Sequence, residues 1–250
     1  MKKAILLSSV ALALFSTGAM AANVYKDSTS SVDVYGYAKG AHVFNQKAGK
    51  NGFDKSEAQI GVKAKQQLND QFALFGQYEG EYDVNDTSAR HWHNRKAFGG
   101  IDAGEYGALS AGRQQGVLYN VIGMTDMHPE VVSGWSSAPD KGLFGRADSV
   151  IQYQNKVGDY TVTGQYKLET TQSLETGKHK DQGAAYGVSV VGNNINGSGV
   201  FAGATYANQK GATAGAADSN VYGVGAGWTN DRVYVAASSL VGKNVAGVKS

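Results

Sequence analysis

FALFGQYEGEY, residues 72–82, alternates with a two-residue period. Phe72, Leu74, Tyr78 and Tyr82 fall on one side with Gly76 and Gly80, and Gln77, Glu79 and Glu81 fall on the other. Successive side chains of an extended strand point to opposite faces. This strand therefore has one aromatic and aliphatic face, and one face carrying full charges and a long amide. A β-sandwich strand also alternates, but its polar side rarely needs so many ionised groups. Apolar outside and polar inside is the pattern of a strand in a membrane-spanning barrel.

The neighbours repeat the pattern. In EAQIGVKAKQQ (57–67), Ile60, Val62 and Ala64 face one way, and Gln59, Gly61, Lys63 and Lys65 face the other. VDVYGYAKGAHVF (32–44) places Tyr35, Tyr37 and Lys39 on one face. Residues 22–31 read as a polar lead-in. Downstream, NRKAFGGID (94–102) places Arg95 and Phe98 on opposite faces and turns Lys96 outward beside Phe98. ALSAGRQQ (108–115), RADSVIQYQ (146–154) and YTVTGQYKL (160–168) follow, then strands near 184–192, 198–208, 221–229 and 232–240. This makes about eleven strands of about nine to eleven residues, the length a tilted strand needs to cross a membrane. Tight turns such as Leu68-Asn69-Asp70-Gln71, Asn155–Asp159, Asn193-Asn194 and Asn230-Asp231 tend to alternate with longer polar loops. Strand length, charge on the polar face and alternating connections favour an all-β transmembrane antiparallel barrel over a soluble sandwich.

A lipid-facing Lys or Arg costs about 2–4 kcal/mol near the midplane, so the charged face is the lumen. It carries Lys39, Gln59, Lys63, Lys65, Gln77, Glu79, Glu81, Arg95, Arg113 and Arg146.

Between the fifth and sixth of these strands runs GVLYNVIGMTDMHPEVVSGWSSAPDKGLFG (116–145), with both prolines of the chain, Pro129 and Pro139. Proline cannot donate to a β-ladder, which marks a loop. Tyr119, Met124, Met127, Val131, Val132, Trp135 and Phe144 give it more apolar surface than a solvated linker carries. It either folds back and narrows the barrel or covers it as an external lid with buried anchors.

The chain opens with MKKAILLSSVALALFSTGAMA. Lys2 and Lys3, an apolar run from Ala4 to Phe15 and the Ala19-Met20-Ala21 site make residues 1–21 a secretory signal peptide, with Ala22 the first mature residue. Without Lys2 and Lys3, 21 basic residues face 21 acidic ones. That neutrality argues against a nucleic-acid partner. Cysteine is absent, which excludes a disulfide framework and thiolate chemistry. His91-Trp92-His93 lacks a third metal ligand, Asp126 and Glu130 lack a nucleophile, and no G-x-S-x-G occurs. We expect no enzyme, no metal and no cofactor. A barrel lipase or protease, and a structural or adhesin barrel, are the competing functions.

The runs VDVYGYAKGAHVF, QQLNDQ with FGQYEGEY, NRKAFGGIDAGEYGALSAGRQQGVLYNV and TDMHPEVVSG, with Gly145-Arg146 after them, resemble the general, enteric-type trimeric porins of Gram-negative outer membranes. The resemblance covers residues 1 to about 241 and is most specific over 94–134. It implies a sixteen-stranded barrel whose third loop, here 116–145, folds inward. It implies a homotrimer embedded in outer-membrane lipid that passes ions and small hydrophilic solutes. Asp126 and Glu130 then form the acidic side of the constriction, facing wall arginines Arg95 and Arg146. Gln59 stands where the family usually has a third arginine, and Tyr37 where it often has lysine, with Lys39 two residues on. PEV replaces the usual PEF in the loop. The segment around Asp83 to His93 is where the family latches a neighbouring subunit. Family chains also run on for several more strands and end on a terminal aromatic. The expectation is therefore of residues 22–250 as one incomplete barrel domain, unable to form a stable trimer by itself.

Overall fold

A computed structural model describes residues 11–14, 20–43, 53–54, 56–84, 92–126, 145–173, 179–211 and 217–245. Its strands are β1 (Ala11–Leu14), β2 (Met20–Lys26), β3 (Ser30–Val43), β4 (Phe53–Asp54), β5 (Glu57–Gln67), β6 (Ala73–Asp83), β7 (Trp92–Asp102) and β8 (Ala108–Gln115). They continue as β9 (Arg146–Val157), β10 (Tyr160–Lys167), β11 (Thr170–Ser173), β12 (His179–Gln182), β13 (Ala185–Gly192), β14 (Val200–Gln209), β15 (Ser219–Thr229) and β16 (Tyr234–Lys243). One short helix, α1 (Tyr119–Ile122), follows β8.

One antiparallel sheet runs β1-β3-β5-β6-β7-β8-β9-β10-β13-β14-β15-β16. β2 shares the β1 edge of β3, pairing Ala22 with Val34 and Lys26 with Ser31. β11 and β12 form a separate hairpin. Among the described residues β16 pairs only with β15, so the sheet has two open edges. The eleven expected strands are all present. The twelfth position along the wall is the N-terminal edge, where β1 and the start of β2, read as signal peptide, and residues 22–26, read as a polar lead-in, pair with β3. That edge was illegible because 22–26 has no apolar alternation; the free ladder of β3 recruits it.

Connections of a few residues close one end of the wall, at 27–29, 68–72, 103–107, 158–159, 193–199 and 230–233. At their other ends the strands are joined by the longer connections 44–56, 84–91, 116–145, 168–184 and 210–218. Asparagine carboxamides shape the short turns. Asn69 Oδ1 accepts from the amides of Gln71 and Phe72 at 3.0 and 2.9 Å, and Asn230 Oδ1 accepts from those of Arg232 and Val233 at 2.9 and 2.8 Å.

Cross-strand partners share a face, which assigns both sides of the wall. The outer face exposes Ile60, Tyr78, Leu109, Ile151, Val162, Val188, Val224 and Val235. The inner face carries the polar rows. Over β9–β16 it is covered by the start of the long loop: Val117, Leu118 and Ile122 pack on Ala147, Val150, Ala185, Ala207, Val221 and Leu240. Val121 and Met124 pack on Val191 and Phe201. Of the two readings of the loop, its first third therefore folds inward.

Candidate functional site

The inner face of β3, β5, β6 and β7 holds the charged residues in register. One row joins Tyr37, Gln59 and Glu81; the next joins Tyr35, Gly61, Glu79 and Lys96; a third joins Asp33, Lys63 and Gln77. Gly61 makes the second row possible. A Cβ there would fall on the Tyr35 ring, so only glycine lets that ring cross β5. The Tyr35 hydroxyl then donates to Glu79 Oε2 at 2.8 Å and accepts from Gln77 Nε2. Lys63 Nζ stands 5.1 Å from the centroid of the same ring.

β7 departs from simple alternation. Its register against β6 passes from Glu79 opposite Lys96 to Gly80 opposite Asn94, which leaves Arg95 as the extra residue of a β-bulge. Arg95 Nε donates to Glu79 Oε1 at 2.9 Å, and its Nη1 donates to Glu81 Oε2. Lys96 Nζ donates to Glu79 Oε2 at 3.1 Å. Lys96 therefore points inward, not outward as alternation predicts. Phe98 lies on the same inner face, opposite Gln77 and 6.4 Å from Phe75 by ring centroids. Arg95 and Phe98 thus share a side. Glu79, 3% exposed, receives three donors and is fully engaged.

At the loop end of this face Lys39 Nζ lies 2.9 Å from Glu57 Oε1, which also accepts from the Tyr37 hydroxyl at 2.6 Å. Lys65 pairs with Asp102 at 3.3 Å. Arg113 differs from its expected lumen position. The register sets it opposite Ala97, on the face of Tyr78. Alternation along β8 itself sets Arg113 with Leu109 and Ala111; the bulge between β8 and β9 puts its extra residue on β9, between Ala147 and Val150, where Ser149 has a positive φ. Its Nε donates to the Asn94 carbonyl and its Nη1 to Asp148, both at 2.9 Å. β7 and β8 pair only up to Ala97 and Arg113, and above that point a cavity of about 630 Å³ opens, lined by Glu81, Trp92, Arg95, Arg113, Arg146 and Asp148 among others.

On the loop, Val117 donates its amide to Gln165 Oε1 at 2.6 Å, Asn120 donates to Ser189 at 2.8 Å, and the Tyr234 hydroxyl donates to the Met124 carbonyl at 2.7 Å. The Thr125 and Ser238 hydroxyls lie 2.7 Å apart. Glycines on β15 make room: a Cβ on Gly225 would press on Val121 and Met124, each at 3.0 Å. Asp126 ends the described segment, exposed, and accepts from the Tyr119 hydroxyl at 2.6 Å. Burial, then the bond to Asp126, pushes the Tyr119 phenol up to about 12, against the pull of Arg146 and Arg95. Glu130, His91, Pro129 and Pro139 lie outside the described residues. Of the sequence candidates, Tyr37, Lys39, Gln59, Lys63, Gln77, Glu79 and Arg95 gather on one inner surface. Glu57, Tyr35 and Lys96 belong to it as well; Glu57 and Tyr35 were visible by period two, whereas Lys96 was hidden by the bulge.

A family model described as Gram-negative porin matches residues 26–245. Outer membrane protein S2 of Salmonella typhi is 36% identical over 158 residues, which are 62% of this chain and 41% of that protein. Outer membrane porin C of Serratia marcescens is 31% identical over 215 residues, 80% of this chain and 57% of that one. The chain thus spans about two fifths to three fifths of the relatives it matches. Among solved structures, Salmonella typhi OmpF in complex with daunomycin aligns with a TM-score of 0.79 at 25% identity, covering 90% of this chain and 69% of that chain. Matched along nearly all of its wall and through its inward loop, the chain belongs to the Gram-negative porin family.

Proposed function

We propose that the whole protein is a water-filled channel of the outer membrane through which ions and small hydrophilic solutes diffuse passively. The two-faced wall carries this reading. Large apolar side chains are exposed on one face, while Lys63, Gln77, Glu79, Glu81 and Arg95 line the other. A hydrated solute needs such a polar lining, and lipid needs such an apolar exterior. Segment 116–145 sieves by size. Asp126 and Glu130 on that loop face Arg95 and Arg146 on the wall, and with Gln59 and Tyr37 in place of two cations the acidic side prevails, giving a mild cation preference. The family and relatives support a homotrimer in outer-membrane lipid, and they are porins, not enzymes. Export removes residues 1–21, and N-terminal sequencing of the membrane-extracted protein begins at Ala22; a start before Ala19 refutes the cleavage site. Reconstituted into planar bilayers and sugar-loaded liposomes, the protein gives stepwise ion conductance and lets small sugars through. Insertion without either flux overturns the channel reading.

A further inference from the structure

The wall cations of β3 and β7 are matched by carboxylates of the wall itself, before any loop carboxylate is considered. Arg95 and Lys96 share Glu79 and Glu81, and Lys39 pairs with Glu57. Glu79 is nearly buried and spends its oxygens on three donors, so it serves the fold of the wall. Glu57 and Glu81 are more open, with side chains 25% and 21% exposed. Both face the same side as Gln59 and Tyr37, and Glu81 accepts from the Arg95 guanidinium.

We propose that Glu57 and Glu81 are specificity-determining residues of the channel: they neutralise Lys39 and Arg95 in place, so that the path favours cationic over anionic hydrophilic solutes. This rests on the channel reading, but places the selectivity on the wall as well as on the loop. A bare arginine on the wall draws anions along its side of the lumen. An arginine bonded to a carboxylate is a dipole whose field dies away within a few ångströms in water.

The test uses the full protein in planar bilayers under a KCl gradient, reading the potassium-to-chloride permeability ratio. A unit charge lining a narrow path changes that ratio by about twofold or more. E81Q lowers the ratio by at least that factor, and E57Q, which perturbs a separate pair, lowers it independently even where E81Q fails to insert. E81Q combined with R95Q removes one charge of each sign and restores the wild-type ratio, which a mere packing defect would not do. Unchanged ratios in E81Q and E57Q, or a shift toward cations, overturn this inference while leaving the channel intact. A wild-type chain that passes no ions overturns the channel reading and this inference together.

Discussion

The bond from Tyr119 to Asp126, 2.6 Å long, ties the tip of the described loop segment to its own helix. Burial and that bond hold the phenol neutral up to about 12, whereas a free tyrosine ionises near 10. The raised value means that the stability this group lends to the docked segment is full below about pH 10 and is lost as pH rises toward 12. The phenolate absorbance difference between wild type and Tyr119→Phe therefore has its midpoint near 12; a midpoint at the ordinary value would mean that the segment is undocked. Asp126 itself is exposed and free to act on ions. Replacing Asp126 by Asn together with Glu130 by Gln removes two negative charges with little change in volume. Reversal potentials then move toward anions, and more so at low salt, because the screening length is about 10 Å at about 0.1 M and grows on dilution. A reversal potential that ignores both substitutions would place these carboxylates away from the narrow part of the path.

Glycines and bulges decide how the strands present their side chains. Tyr35 reaches Glu79 only across Gly61, so Gly61→Ala displaces the ring and takes one donor from a nearly buried carboxylate. Overpacking of this kind costs roughly 1–3 kcal/mol. It is read as a lower unfolding temperature in detergent; an alanine variant as stable as wild type would show that the ring does not need the gap. The strands themselves were legible, because period-two alternation with charges on one side has few other readings. The bulge at Arg95 was not, since one extra residue in a ladder leaves no mark in composition, and every face assignment beyond it flips. That single event explains the misread Lys96 and Phe98; Arg113 needs no bulge, since alternation along β8 already sets it with Leu109. The glycines of 223–227 read as close strand packing. Gly223 and Gly227 do lie against the neighbouring strands, at Thr205 and Leu240 and at Phe201 and Val235, but what approaches Gly225 is Val121 and Met124 from about a hundred residues upstream, a contact that no local pattern announces.

Over the whole molecule the wall separates two solvents, and each face tolerates a new charge differently. Val224 lies mid-strand in β15, 59% exposed on the outer face between Ala204 and Ser239. Gln59 lies on the inner face between Tyr37 and Glu81. Val224→Arg puts a guanidinium against hydrocarbon, at about 2–4 kcal/mol near the midplane. Gln59→Arg puts the same group into water beside a carboxylate, which costs far less. The outer substitution therefore lowers the yield of folding into lipid vesicles, while the inner one folds as wild type does. The conductance of the inner variant carries the second half of the argument. It adds one cation beside Lys39 and Arg95, which are already paired, so its reversal potential moves toward anions. Equal folding yields for the two variants would mean that lipid does not cover the apolar face. An inner variant with unchanged selectivity would mean that ions do not pass along the face of Glu79 and Glu81.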